Sequence, residues 1–274
     1  MKFKLILILV LISLLSCNKD ELEPTTNPPL VFEYQLIWED EFNGSDINRD
    51  DWTFEIWNAG HVNNEWQKYV ESDDNYKVEN GKLHITVTKT DPLGGFGNYN
   101  STRLISKNKQ EFKYGRIEFK AKMPSGRGTW PALWMLGSNI DEVSWPKCGE
   151  IDVLEYVGYQ ENKIHNNIHT QDDYGATANG EAINLSTAEE NFHIYGITWT
   201  SSKIEFYLDD PTNITNTYKP SNRTEDNWPF SQDFFIIMNF AVGGIWGGLQ
   251  GVDETIWPQT MEVDYVKVYQ LMQI

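Results

Sequence analysis

The chain has 274 residues and a formal net charge of −18. That length suits one large domain better than two small ones and can bury a sizeable core. The acidic balance argues against nucleic acid and anionic membrane surfaces as partners, because both need a basic patch, and it disfavours sulfated polysaccharides.

Residues 1–17 read as a targeting segment. Lys2 and Lys4 form a charged start, and Leu5–Leu15 is an apolar run too short to serve as a mature membrane span. The run closes on Leu14-Leu15-Ser16-Cys17, which resembles the lipobox of bacterial lipoproteins. That resemblance implies lipid modification at Cys17, a membrane partner through that anchor, and a place in the bacterial cell envelope. The expected site is the outer membrane, with the acidic start after Cys17 resembling a surface-export signal. Residues 18–33 carry Pro24, Pro28 and Pro29 among polar residues without periodicity, the composition of a flexible tether. Residues 34–274 then form the folded domain. With Cys17 acylated, Cys148 has no partner for a disulfide, and it reads as a small buried residue rather than a nucleophile.

From residue 36 onward, short extended runs recur between turn signals, with no convincing helical period. His84–Thr88, Arg116–Lys122, Gly196–Thr200, Ile204–Leu208, Phe234–Ala241 and Val263–Tyr269 are the clearest strands. Many strands without intervening helices predict an all-β protein of two packed antiparallel sheets. In Arg116–Lys122 the alternation assigns Ile117, Phe119 and Ala121 to the inter-sheet core and turns Arg116, Glu118, Lys120 and Lys122 outward. Aromatics make up 14% of the chain, with 11 Trp, more than a core alone normally requires. Exposed indole faces pack on the C–H groups of sugars, so this surplus suits a carbohydrate cleft.

The most informative stretch is Gly149-Glu150-Ile151-Asp152-Val153-Leu154-Glu155-Tyr156-Val157-Gly158. In a plain strand Glu150 and Asp152 share one face while Glu155 points with Ile151 and Val153 into the core. An unpaired charge there would cost several kcal/mol. One extra residue, a β-bulge near Val153-Leu154, restores the parity and brings all three acids to one face. Carboxyls crowded there push one another's pKa values apart, leaving one protonated and another ionised. Those are the parts that glycoside hydrolysis needs.

Trp130-Pro131-Ala132-Leu133-Trp134-Met135-Leu136-Gly137 followed by Cys148–Glu155 resembles the signature of glycoside hydrolase family 16, in its laminarinase (endo-β-1,3-glucanase) branch. Trp38–Gly44, Tyr114–Glu118, Met238–Gly244 and Val263–Tyr269 extend the resemblance over roughly residues 34–270. It implies a jelly-roll β-sandwich whose curved sheet forms an open substrate cleft. It also implies a monomer that hydrolyses internal bonds of β-glucan with retention, needing no cofactor for catalysis. Glu150 would be the nucleophile, Glu155 the general acid/base, and Asp152 the group that tunes their protonation.

By the same resemblance, Trp130, Trp134, Trp145, Asn239 and Trp246 would line the cleft, and His169 would lie within reach of Glu155. Asn64 and Arg103 would sit on rimming loops, and Glu118 and Lys120 on the cleft floor, where the family more often has Arg at the position of Lys120. Glu41, Gly81 and Asp264 match positions where the family binds a structural calcium ion, on the convex side. Hydrolases of mixed-linkage glucan or algal galactan share this signature. A noncatalytic glucan-binding module would keep the tryptophans, yet has no need for three acids.

Overall fold

The structure is a computed structural model, and it describes residues 30–274. The targeting segment, Cys17 and most of the tether therefore lie outside the described residues. Two β-sheets stack face to face. The eight-stranded sheet runs in the order Asn179–Asn184, Lys163–His169, Glu150–Tyr156, Thr129–Gly137, Phe234–Val242, Arg103–Ile105 and Thr53–Phe54, with Glu111–Phe112 paired to one end of Phe234–Val242.

The ten-stranded sheet runs Ile214–Tyr218, Ile204–Leu208, His193–Trp199, Gly115–Lys122, Gln259–Gln273, Lys82–Lys89, Tyr99–Ser101 and Gln67–Tyr69. Phe32–Asp40 and Tyr76–Glu79 join it at the side, on Gln259–Gln273 and Lys82–Lys89. All pairings are antiparallel except that of Gln67–Tyr69 with Tyr99–Ser101. The expected all-β jelly-roll sandwich is the observed fold. A one-turn helix, Ile140–Val143, and a 3-10 turn, Gly175–Thr177, are the helical elements among the described residues.

Alternation builds the core as the sequence predicts. Ile117, Phe119 and Ala121 are fully buried against Val263, Val266 and Val268 of their own sheet and Leu133, Met135, Ile151, Ile236 and Met238 of the other. Gln259–Gln273 is much longer than the Val263–Tyr269 run because it serves two partners on one edge. Its first part pairs with Lys82–Lys89 and its second with Phe32–Asp40. The first strand thus begins inside the expected tether, since it already includes Phe32 and Glu33.

Phe234–Val242 is buried at every position. Thr129–Gly137 lies beside it and Glu150–Tyr156 follows next, in the middle of the eight-stranded sheet, so their outer faces form the floor of the cleft.

Candidate active site

Strand Glu150–Tyr156 carries the bulge. On its Thr129–Gly137 side, the consecutive residues Leu133 and Trp134 stand opposite Leu154 and Asp152, so Val153 is the residue without a partner. On the other side, Asp152 faces Asn167 and Glu155 faces His165, three residues against two. Val153 and Leu154 both turn into the core, and Glu155 returns to the face of Glu150 and Asp152. Glu155 consequently stands in a row with Ala132, Asn239 and Arg103 across four strands.

Each outer acid has its own indole donor. Trp130 Nε1–H donates to Glu155 Oε1 at 3.1 Å, and Trp145 Nε1–H donates to Glu150 Oε2 at 2.9 Å. Asn167 Nδ2–H donates to the other Glu155 oxygen at 2.6 Å. His169 Nε2 lies 3.0 Å from Asp152 Oδ2 and 3.7 Å from Glu150 Oε1. The 3.0 Å contact is close but off the line of a hydrogen bond, so the buried Oδ2 has no hydrogen-bond partner. The Gly175 N–H donates to His169 Nδ1 at 3.0 Å. That nitrogen must therefore be the acceptor, which leaves the ring proton on Nε2, toward Asp152.

Burial raises the pKa of all three acids, because removing a carboxylate from water disfavours its charge. Glu150 and Asp152 stand well above the ordinary carboxylate range, each pushed further by a neighbouring acid, Asp152 and Glu155 respectively. Glu155 is also raised by burial, while the Asn167 and Trp130 donors pull it back. A shared proton among the three is the natural state of such a cluster.

The tryptophans and Asn239 gather around this row. Trp130 meets Trp246 edge to face at 5.7 Å, and Trp246 meets His165 at 4.9 Å. Trp134 donates to Asn239 Oδ1 at 2.7 Å. Trp145, half exposed, packs edge-on against Tyr174 at 5.3 Å. Asn64 is exposed on the loop before Gln67–Tyr69, beside Asn63, whose carbonyl accepts the Ile245 N–H.

Three expectations need correction. Glu118 is not on the cleft floor: it belongs to the ten-stranded sheet, faces away from the core on the opposite side of the sandwich, and accepts a hydrogen bond from Tyr207 at 2.8 Å. Lys120 shares that face and pairs with Asp264 at 2.7 Å. Arg103 lies on a strand rather than a rimming loop. Its guanidinium is paired with Glu55 and sits over the rings of Trp57 and Trp134 at 4.4 and 4.8 Å. His169 serves Asp152 and Glu150; the bulge gives the places next to Glu155 to Asn167 and His165.

Asn167 was legible in principle, two residues before His169 on the same strand face, while Glu65 and Tyr69 gave no local signal. Glu41, Gly81 and Asp264 do converge on one pocket, on the ten-stranded sheet, together with Asn43, Lys120, Tyr265 and Lys267.

Comparison with known proteins agrees with this geometry. The model of glycosyl hydrolases family 16 matches residues 63–267. The chain is 38% identical over 253 residues to a β-glucanase of Rhodothermus marinus, covering 88% of this chain and 86% of that protein. It superposes on the laminarinase of Flavobacterium sp. UMI-01 with a TM-score of 0.80 at 43% identity, covering 86% of this chain and all of the other. A non-specific endo-β-1,3(4)-glucanase, SCLam, matches with a TM-score of 0.79 at 34% identity over 86% of this chain and 91% of that one. The chain belongs to glycosyl hydrolases family 16.

Proposed function

We propose that this enzyme hydrolyses internal β-1,3-glucosidic bonds of laminarin-type glucans by a retaining double displacement. The observation that carries the reading is the bulged strand, which turns Glu150, Asp152 and Glu155 to one tryptophan-lined face. Glu150 attacks the anomeric carbon while Glu155 gives its proton to the departing glycosidic oxygen, leaving a glycosyl ester on Glu150. Glu155, now a carboxylate, takes a proton from water, whose oxygen attacks the same carbon and releases Glu150. Two inversions retain the β configuration. Asp152 shares a proton with Glu150 and so keeps the resting cluster from carrying three charges.

A second reading, cleavage of mixed β-1,3/1,4-glucan, is favoured by the likeness to the non-specific SCLam enzyme. Product analysis on laminarin, mixed-linkage glucan and agarose decides between them. Chain shortening of laminarin is expected; shortening of agarose with none of laminarin would overturn the assignment.

We also place the protein in the cell envelope, held through acylated Cys17 as a monomer. Cys17→Ser should release it from membranes or block maturation, and unchanged membrane partition would remove the anchor from the account.

The Glu41, Gly81 and Asp264 pocket is proposed to take a structural calcium ion. Gly81, at φ +68°, has the side chain of Asn43 close over it, and the two carboxylates of the same pocket supply hard oxygen ligands. Lys267 holds Glu41 and Lys120 holds Asp264, so the ion would compete with both ammonium groups. A melting temperature unchanged by EDTA, with no calcium in the purified protein, would remove this site.

A further inference from the structure

Along the same face as the catalytic acids runs a chain of hydrogen bonds whose directions are forced from both ends. An indole N–H can only donate, so Asn239 Oδ1 must be the atom that accepts from Trp134, at 2.7 Å. The Asn239 Nδ2 group therefore faces Tyr69 and donates to its Oη at 3.0 Å. The single Tyr69 hydroxyl proton is left for Glu65 Oε2, 3.2 Å away.

From the other end, the backbone N–H of Val242 can only donate, and it donates to Gln67 Oε1 at 2.7 Å. The Gln67 Nε2 group is thereby turned to the same Glu65 oxygen, at 2.8 Å. Both arms converge on one buried carboxylate oxygen that must accept twice. Glu65 is 7% exposed and has no ion pair among the described residues; Arg103, a nearby cation, spends its charge on Glu55.

We propose that Glu65 is a positioning residue for glucan binding, the terminal acceptor that fixes the amide of Asn239 and, through it, the ring of Trp134. The placement supports it. Asn239 stands in the row that contains Glu155, and its amide nitrogen has one hydrogen left after Tyr69 is served. With the amide fixed, that atom presents a donor to the cleft. If the amide were free to flip, a sugar hydroxyl would meet a donor or an acceptor by chance and part of the binding energy would be lost. Glu65 itself is anchored by a bridge to Gly243, which ties it to the end of the strand that carries Asn239. This inference rests on reading the cleft as a glucan site.

The test compares Tyr69→Phe, Glu65→Met and Glu65→Gln with the full-length wild type. Tyr69→Phe removes the link without changing the packing, Glu65→Met removes the acceptor, and Glu65→Gln can still offer one oxygen to both donors. Tyr69→Phe and Glu65→Met should raise KM for laminarin oligosaccharides roughly fivefold, about the worth of one hydrogen bond, while kcat changes less than about twofold. Glu65→Gln should stay within about twofold of wild type in both. The Trp134 indole N–H resonance should shift in the first two variants and stay in place in the third.

Unchanged KM and an unmoved indole resonance in Tyr69→Phe and Glu65→Met, with only the melting temperature lowered, would overturn the proposal. A Glu65→Gln variant as impaired as Glu65→Met would overturn it too, by showing that charge rather than acceptor geometry matters. If the wild type leaves laminarin uncleaved, the functional reading falls, and the indole resonance still decides whether Glu65 sets Trp134.

Discussion

Asn167 donates to Glu155 Oε2 at 2.6 Å although its partner in strand register is Asp152. The bulge at Val153 causes this. By adding one residue to the strand it carries Glu155 back to the cleft face, within reach of an amide one step along the neighbouring strand. The hydrogen bond favours the charged form of Glu155 and so opposes the rise that burial imposes.

Asn167→Ala should therefore raise the pKa of Glu155. The group that must be protonated for the first step would hold its proton to higher pH, and the alkaline limb of the kcat/KM profile should move upward. Activity at the optimum should fall by about tenfold, the worth of a hydrogen bond to a charged group. A pH–rate profile checks both. An alkaline limb that moves down, or stays fixed, would mean that Asn167 does not act on the acid.

The clustered acids cost stability at neutral pH. For a carboxyl whose folded pKa is raised, the unfolded chain ionises first as pH climbs past its ordinary value near 4.3. Stability is then lost until the raised folded pKa is passed, and the loss persists above it. Glu150→Gln, which can still accept from Trp145, should raise the melting temperature at pH 7 by at least about 2 °C, on the order of 1 kcal/mol for a domain of this size. Below pH 4 the difference should vanish. Thermal melts across that range test the sign, and a variant less stable than wild type at pH 7 would contradict it.

Glu118 provides the control on the far side of the sandwich. Glu118→Ala removes the acceptor of the buried Tyr207 hydroxyl, so the protein should lose about 1–3 kcal/mol of stability. Since a hydrophobic core separates it from the cleft, KM and kcat on laminarin should stay within about twofold. A large rise in KM at an unchanged fold would return Glu118 to the substrate site.

Strand parity made most of the floor legible. It predicted the bulge at Val153-Leu154 from the cost of burying Glu155, and it assigned Ile117, Phe119 and Ala121 to the core. Parity reports which residues turn outward but not on which sheet, and Glu118 was misplaced for that reason. His169 was assigned to the wrong acid because which residue of Lys163–His169 faces which acid depends on the pairing register, and that register sets His169 opposite Glu150, before the bulge. Arg103 looks like a loop residue because its strand is three residues long and held by its neighbours rather than by its own pattern. Glu65 gave no local signal at all. Its role depends on Tyr69 and Asn239, which belong to different sheets and meet where Glu65 bridges to Gly243.

The division of labour between Glu150 and Glu155 is the centre of the account, and azide rescue tests it most directly. In Glu155→Ala the first step on an aryl β-glycoside can proceed, because the leaving group departs without a proton, and the glycosyl ester on Glu150 accumulates. Azide fits the space that the carboxylate vacates and attacks the ester, so added azide should restore turnover and yield a β-glycosyl azide. Rescue of Glu150→Ala instead of Glu155→Ala, or an α-configured azide from Glu155→Ala, would reverse the two roles.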